Sequence, residues 1–189
     1  MMAASVERRV ISVNVAHVRT FAWRGRTVDT GIFKEPVIGP VAVGRLGFAG
    51  DMQADLRVHG GPRKAVYVYP VEHYAFWHAE FPGRELRPGA FGENLTTAGV
   101  LEADVRQGDR LQIGTAVFEV TTPRLPCFKL ALKFEEPGMI ERFFAAGRSG
   151  FYLSVVQDGT IEAGAPIVLS PRTPPGETIA DVFRAKTPA

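Results

Sequence analysis

Apolar and polar residues alternate along VISVNVAHVRTF (10–21), and a period of two predicts a strand there. PVIGPVAVGRLGFAGD (36–51) sets β-branched residues between prolines and glycines, the punctuation of short bent strands and turns. AVYVY (65–69) has no polar position and predicts a strand buried on both faces. The pattern then changes period. PVEHYAFWHAEF (70–81) begins with proline and places Val71, Tyr74, Phe76, Trp77 and Phe81 at helical spacing. ENLTT (93–97) is strand-like, and DRLQIGTAVFEVTTP (109–123) reads as two strands joined near Gly114. PGMIERFFAAG (137–147) carries a Met139, Ile140, Phe143, Phe144 stripe and a glycine stop, which predicts a helix. GFYLSVVQDG (150–159) and GAPIVLS (164–170) return to β periodicity. The last residues are rich in proline and then weakly helical, which predicts a tail over 172–189 after one domain over 1–171.

Short strands with Gly/Pro bends and few helices predict a mainly β fold with some α: a closed or nearly closed β-barrel with peripheral helices. A doubly wound parallel sheet would need regular strand–helix alternation, which is missing. The 20 glycines and 14 prolines suit corners and bulges.

Composition narrows the function classes. The 189 residues are enough for one domain with a sizeable core. Lys+Arg 22 against Asp+Glu 20 leaves a formal charge of +2, too balanced for the basic stripe that nucleic acid requires. No apolar run approaches the roughly 20 residues of a membrane span, and MMAASVERRVISV lacks the features of a secretory signal. The expected location is the cytoplasm, with no membrane and no nucleic-acid partner. Phosphate-binding glycine motifs, the H-E-x-x-H zinc motif and the G-x-S-x-G nucleophile elbow are absent.

One thiol remains to be explained. Cys127 in TTPRLPCFKL (121–130) is the only cysteine, so it closes no disulfide within the chain. Pro123 and Pro126 bias the segment to extended geometry, which predicts a stiff, non-helical loop with the thiol at a fixed aim. Arg124 and Lys129 flank it, and cations near a thiol favour the thiolate. The thiol can equally be a small packed hydrophobe. GDMQADLRVHGGPRKAVYVYP (50–70) groups Asp51, Gln53, Asp55, His59, Arg63 and Lys64 around three glycines, as a ligand site or as a solvated loop. TGIFKEPV (30–37) offers Thr30, Gly31 and Lys34 to a phosphate, or forms a plain turn. GAFGENLTT (89–97) offers Glu93 and Asn94 to a pocket or to a turn. A lone cysteine holds no closed metal site, which takes about four ligands. A metal on it would arrive with an organic cofactor.

Taken together, TGIFKEPVIGPV, GDMQADLRVHGGPRKAVYVYPVEHY, GAFGENLTT and GDRLQIGTAVFEVTTPRLPC resemble, in order, the motifs of the MOSC domain, named for the C-terminal domain of molybdenum cofactor sulfurase. They are most similar to stand-alone bacterial members of the hydroxylaminopurine-resistance type, over roughly residues 10 to 170. The resemblance implies a β-barrel that binds the pterin-based molybdenum cofactor. It implies Cys127 as the metal ligand or sulfur carrier and Lys34 as the contact to the cofactor phosphate. Thr30, His59, Lys64, Asn94 and Arg124 are the further cofactor contacts, with His59 also the proton donor. Relatives often continue into a three-helix domain, of which residues 172–189 would be a remnant.

The implied activity is reduction of small N-hydroxylated compounds, with electrons from a separate reductase, in a monomer or homodimer. Two other readings stand beside it. One is a sulfur-carrier or cofactor-delivery module with a persulfide on Cys127. The other is a cysteine hydrolase pairing Cys127 with His59.

Overall fold

The alternation that opens the chain forms strand β1 (Arg9–Val15) in the computed structural model, which describes residues 7–54 and 60–188. β1 slips register between Val10 and Ser12 where it pairs with a later strand. That bulge lets Val10 and Val13, an odd number apart, both reach the core. The strand stops at Val15, short of the predicted 21. The chain turns and makes a hairpin of β2 (Arg19–Trp23) and β3 (Arg26–Thr30). Its two turn residues, Arg24 and Gly25, both have positive φ, at 49° and 74°. That is the two-residue geometry that matches strand twist.

β4 (Glu35–Pro36), β5 (Val41–Gly44) and β6 (Gly47–Phe48) are the short bent strands expected over 36–51. A 3-10 turn at Pro62–Lys64 leads into β7 (Val66–Pro70), and another at Val71–His73 into α1 (Tyr74–Glu80). Then come β8 (Leu95–Ala98), β9 (Arg110–Ile113), β10 (Ala116–Pro123), α2 (Phe128–Phe134), α3 (Met139–Ala146), β11 (Phe151–Gln157), β12 (Gly159–Ile161), β13 (Ile167–Ser170) and α4 (Ile179–Lys186).

The main sheet has eight strands in the order β13-β9-β10-β11-β7-β8-β1-β4. β7 and β8 run parallel and the other pairs antiparallel. The fold is mainly β with some α, as the periodicities predict, but the ladder does not close strand to strand. Instead a single bridge, Arg9 with Pro166, spans the seam. Backbone bonds from Val10 N to Ala165 O, Gly164 N to Val10 O and Ile167 N to Arg8 O, each 2.9 Å, hold it.

β7 divides two cores. Val66 and Val68 face an aliphatic core with Leu95, Leu111, Phe118, Phe151 and Leu153. Tyr67 and Tyr69 face an aromatic core under the helices, with Trp77, Phe91, Phe134 and Phe143. The period of two that makes a strand also sorts branched from aromatic residues onto its two faces. α3 ends at Gly147 with φ 64°, as its sequence requires. Beyond the proline-rich segment, α4 is capped by Thr178, whose hydroxyl accepts from Asp181 N. It docks Ile179, Val182 and Phe183, with Phe183 stacked on Phe144 at 5.7 Å.

Phe91 is fully buried and stacks on Tyr69 at 4.4 Å, with Tyr74, Trp77 and Phe134 around it. Phe91→Ala should destabilise by about 3–5 kcal/mol. Denaturant unfolding checks this; a loss under ~1 kcal/mol would show that the aromatic core is not closely packed.

Candidate functional site

The Cys127 cavity is built from separated segments. Thr30, Lys34, Lys64, Asn94, Arg124 and Cys127 all line it, so six of the seven site residues expected from the sequence converge on one cleft. The seventh, His59, lies outside the described residues. Gln53, Lys129, Tyr67 and Tyr152 are among the other residues that line it.

Cys127 terminates a loop and caps a helix. The non-helical segment predicted around the two prolines runs as strand to Pro123 and then as loop to Cys127. Cys127 itself is extended, with φ −134° and ψ 171°, and is the N-cap of α2. A helix at 128–134 was not foreseen, because the prolines before the thiol dominate the local pattern. Cys127 is half-buried, while Leu125 and Phe128 beside it are each 44% exposed. The thiol therefore stands at the edge of the cavity.

Arg124 lies deeper. Its Nη1 donates to Phe91 O at 2.9 Å, and its guanidinium sits over the rings of Tyr67 and Phe143 at 5.0 and 5.4 Å. Burial opposes its charge, but Tyr67, Tyr152 and Cys127 outweigh that and hold it above its usual value. The charge of Arg124 is thus coupled to the thiol. Burial pushes the phenols of Tyr67 and Tyr152 up, with Arg124 pulling the other way, so both stay neutral. Tyr67 OH donates to Ser149 O at 2.8 Å. Lys64 stands 5.8 Å from the centre of the Tyr152 ring.

Lys34 and Asn94 line the cavity but are already bonded inward. Lys34 Nζ donates to Asp51 Oδ1 at 2.5 Å, with both side chains almost sealed from water. Burial pushes the lysine down, while Asp51 and then Glu93 favour its charge. Asn94 donates to Asp51 Oδ2 at 2.8 Å and to Asn14 O, and accepts from Tyr67 N at 3.1 Å. The side-chain oxygen of Thr30 accepts from Ile32 N. At Gly31 an added Cβ would sit 2.1 Å from Met52 O, so glycine here lets the 30–34 loop lie against residue 52.

Glu93 is fully buried, and its carboxylate accepts from Tyr74 OH, Gly89 N, Phe91 N and Thr96 Oγ1. It builds the 89–94 loop and does not line the cavity. Gln53 Oε1 is a buried acceptor on the cavity wall with no partner among the described residues.

Lys133 was missed from the sequence. From α2 its Nζ donates to Ile32 O at 2.8 Å and Gly89 O at 2.5 Å, tying the Cys127 helix to the two loops. No sequence signal marks it, since its acceptors are backbone carbonyls of distant residues. No group of metal-ligating side chains is found among the described residues, and none of the described helices is long and apolar enough to cross a membrane.

Burial pushes Lys133 down to about 8, with Arg124 and Lys34 adding to the shift and Glu93 and Glu35 opposing it. The unfolded chain keeps this proton to the ordinary value of 10.5, and the folded chain releases it near 8. The unfolded state therefore binds more protons between those values, and stability rises with pH there. Relative to Lys133→Met, the wild type should gain up to about 3 kcal/mol between pH 8 and 10.5, read by denaturant unfolding at each pH. A pH-independent difference would contradict the burial of a charged amine.

The MOSC domain model matches residues 55–168. The chain is 44% identical to protein YflK of Bacillus subtilis (strain 168) over 170 residues, 90% of this chain and 76% of that protein. It is 36% identical to a protein named "Reductase" from Gibberella moniliformis (strain M3125 / FGSC 7600) over 163 residues, 85% of this chain but 29% of that longer protein. The crystal structure of YiiM from Geobacillus stearothermophilus superposes with a TM-score of 0.76 at 39% identity, over 93% of this chain and 82% of that one.

Proposed function

This chain belongs to the MOSC domain family, and on that premise we propose that it is a molybdenum-cofactor oxidoreductase that reduces N-hydroxylated compounds, with the Cys127 thiolate as the protein's ligand to molybdenum. The observation that carries the reading is the meeting of one thiol with the cations Arg124, Lys64 and Lys34 in a single cleft. The relative named as a reductase supports the same class of chemistry.

The donor set fits the cofactor. A thiolate is a soft ligand suited to a thiophilic metal. The cation-lined wall suits a phosphorylated organic group. Gln53 Oε1, buried without a partner among the described residues, offers an acceptor to an N–H of a bound heterocycle. When bound, the cofactor supplies a metal that cycles by two electrons and two dithiolene sulfurs, which a chain with one cysteine lacks.

The chain's own residues do the rest. Arg124, coupled to the thiol, favours its thiolate form. Lys64 and Lys129 hold negative charge at the mouth, and Lys34 braces the inner wall through Asp51. His59 is the proposed proton donor. In the net reaction an N–OH group takes two electrons and two protons. The N–O bond breaks, an N–H bond forms and water leaves. The electrons come from a separate reductase.

A second reading, a sulfur carrier with a persulfide on Cys127, draws support from the exposure of Leu125 and Phe128. Flanking apolar surface is what a docking partner would cover while sulfur is passed. Mass spectrometry that finds a persulfide on purified protein lacking turnover would favour this second reading.

For the main reading the test is reduction of a hydroxylamine substrate, with an artificial electron donor, by protein expressed in a molybdenum-competent host. Cys127→Ala should fold with an unchanged melting curve, and Cys127→Ser with one unchanged or slightly higher, because serine is the better N-cap. Each should lose more activity than the roughly 10–100-fold that outer-shell changes cost at metal sites. A Cys127→Ser protein with bound cofactor and undiminished turnover would remove the thiolate from the mechanism.

A further inference from the structure

A second cavity, about 270 Å³, opens beside the first, between residues 33–35, the 84–90 loop and the end of α2. Lys34 lines both cavities. Its lining cations, Arg19, Lys34, Arg84, Arg87 and Lys133, outnumber its lining carboxylates, Glu35 and Glu85. Arg19 pairs with Glu35 at 2.8 Å, Arg87 with Glu85 at 2.7 Å, and Lys34 with Asp51. Two of the cations have no carboxylate bonded to them among the described residues. Arg84 donates to Phe134 O at 2.6 Å and lies over the Phe81 and Phe134 rings. Lys133 donates to Ile32 O and Gly89 O. Among the described residues neither is within ion-pair distance of a carboxylate.

An ammonium carries three N–H groups, and the two carbonyls account for two of them. Glu93 and Glu35 attract Lys133 only through space, and the oxygens of Glu93 are already taken by its own loop.

We propose that this cavity is an anion site, in which Lys133 and Arg84 bind a phosphate-sized anion. Two cations with no carboxylate bonded to them line one cavity, and an Arg with a Lys is a common pairing for phosphoryl oxygens. The burial that weakens the charge on Lys133 acts in the same direction, because an anion bound there would restore it. The ligand class is a small phosphate or a phosphorylated metabolite. The site involves neither Cys127 nor a metal, so its failure would leave the proposed oxidoreductase reading untouched.

Inorganic phosphate is the probe, titrated calorimetrically into the full chain at pH 7 in a chloride buffer. One saturable site is expected. Lys133→Met should weaken it about tenfold or more, the loss expected for a charged hydrogen bond. Arg84→Gln, at the surface, should weaken it in the same direction and serves if Lys133→Met fails to fold. Capping Cys127 with iodoacetamide, or Lys64→Ala, should leave binding unchanged. No saturable binding, or binding that survives both Lys133→Met and Arg84→Gln, would overturn the proposal. So would binding lost on Lys64→Ala, which would place the phosphate in the Cys127 cavity instead.

Discussion

The carboxylate of Asp51 is nearly sealed from water and gathers three donors from three parts of the chain: Lys34 Nζ, the backbone N–H of Ala16 and Asn94 Nδ2. A buried charge is tolerable only when paired and fully hydrogen-bonded, so these bonds are conditions of the fold. Asn94 extends the clamp, because its amide also takes Tyr67 N and Asn14 O. The end of β1, the 30–34 loop, β7 and the entry to β8 are thereby fixed to one another beside the cavity. Removing Asp51 would leave Lys34 as an uncompensated buried cation, the costlier half of a broken pair.

This gives Lys34 and Asn94 a part that differs from direct ligand contact. Both line the cleft, yet their strongest bonds point into the protein. A ligand phosphate would have to share Lys34 with Asp51. Arg124, Lys64 and Lys129 line the same cavity; Arg124 donates to Phe91 O, Lys129 to Asp29 O, and Lys64 lies over the Tyr152 ring. Lys34 holds the scaffold through Asp51, and buried Arg124 holds the 89–94 loop through Phe91 O.

Local periodicity made much of the fold legible. AVYVY, the hairpin around Gly114 and the helix ending at Gly147 each declare themselves within a few residues. The β2–β3 hairpin escaped because its turn is Arg-Gly, not the Asn-Gly that advertises such turns. α2 escaped because prolines just upstream argue for extended chain, and only the structure shows where their influence ends. At the site, the positions were legible but the partners were not. Lys34 and Asp51 are 17 residues apart and Asn94 and Asp51 are 43 apart, distances at which no periodicity survives. Lys133 bonds carbonyls 101 and 44 residues away, and its identity leaves no pattern at all.

The position of Cys127 bears on why it is a cysteine. If the thiol merely packed, replacing it by serine would bury a hydroxyl at a cost. Cys127 is half-buried, which lowers that cost, and its side chain makes no cap bond to α2. Serine, threonine, aspartate and asparagine are the favoured residues at an N-cap, and a good cap is worth about 1 kcal/mol over alanine. Helix stability alone would therefore place serine at 127. On the proposed function, a residue that is worse for the helix and set beside a buried guanidinium supplies what sulfur does and oxygen does not: a ligand for soft metals or a carrier of a second sulfur. The same reasoning makes serine the most informative replacement, because it keeps the volume and strengthens the cap while removing only the sulfur chemistry.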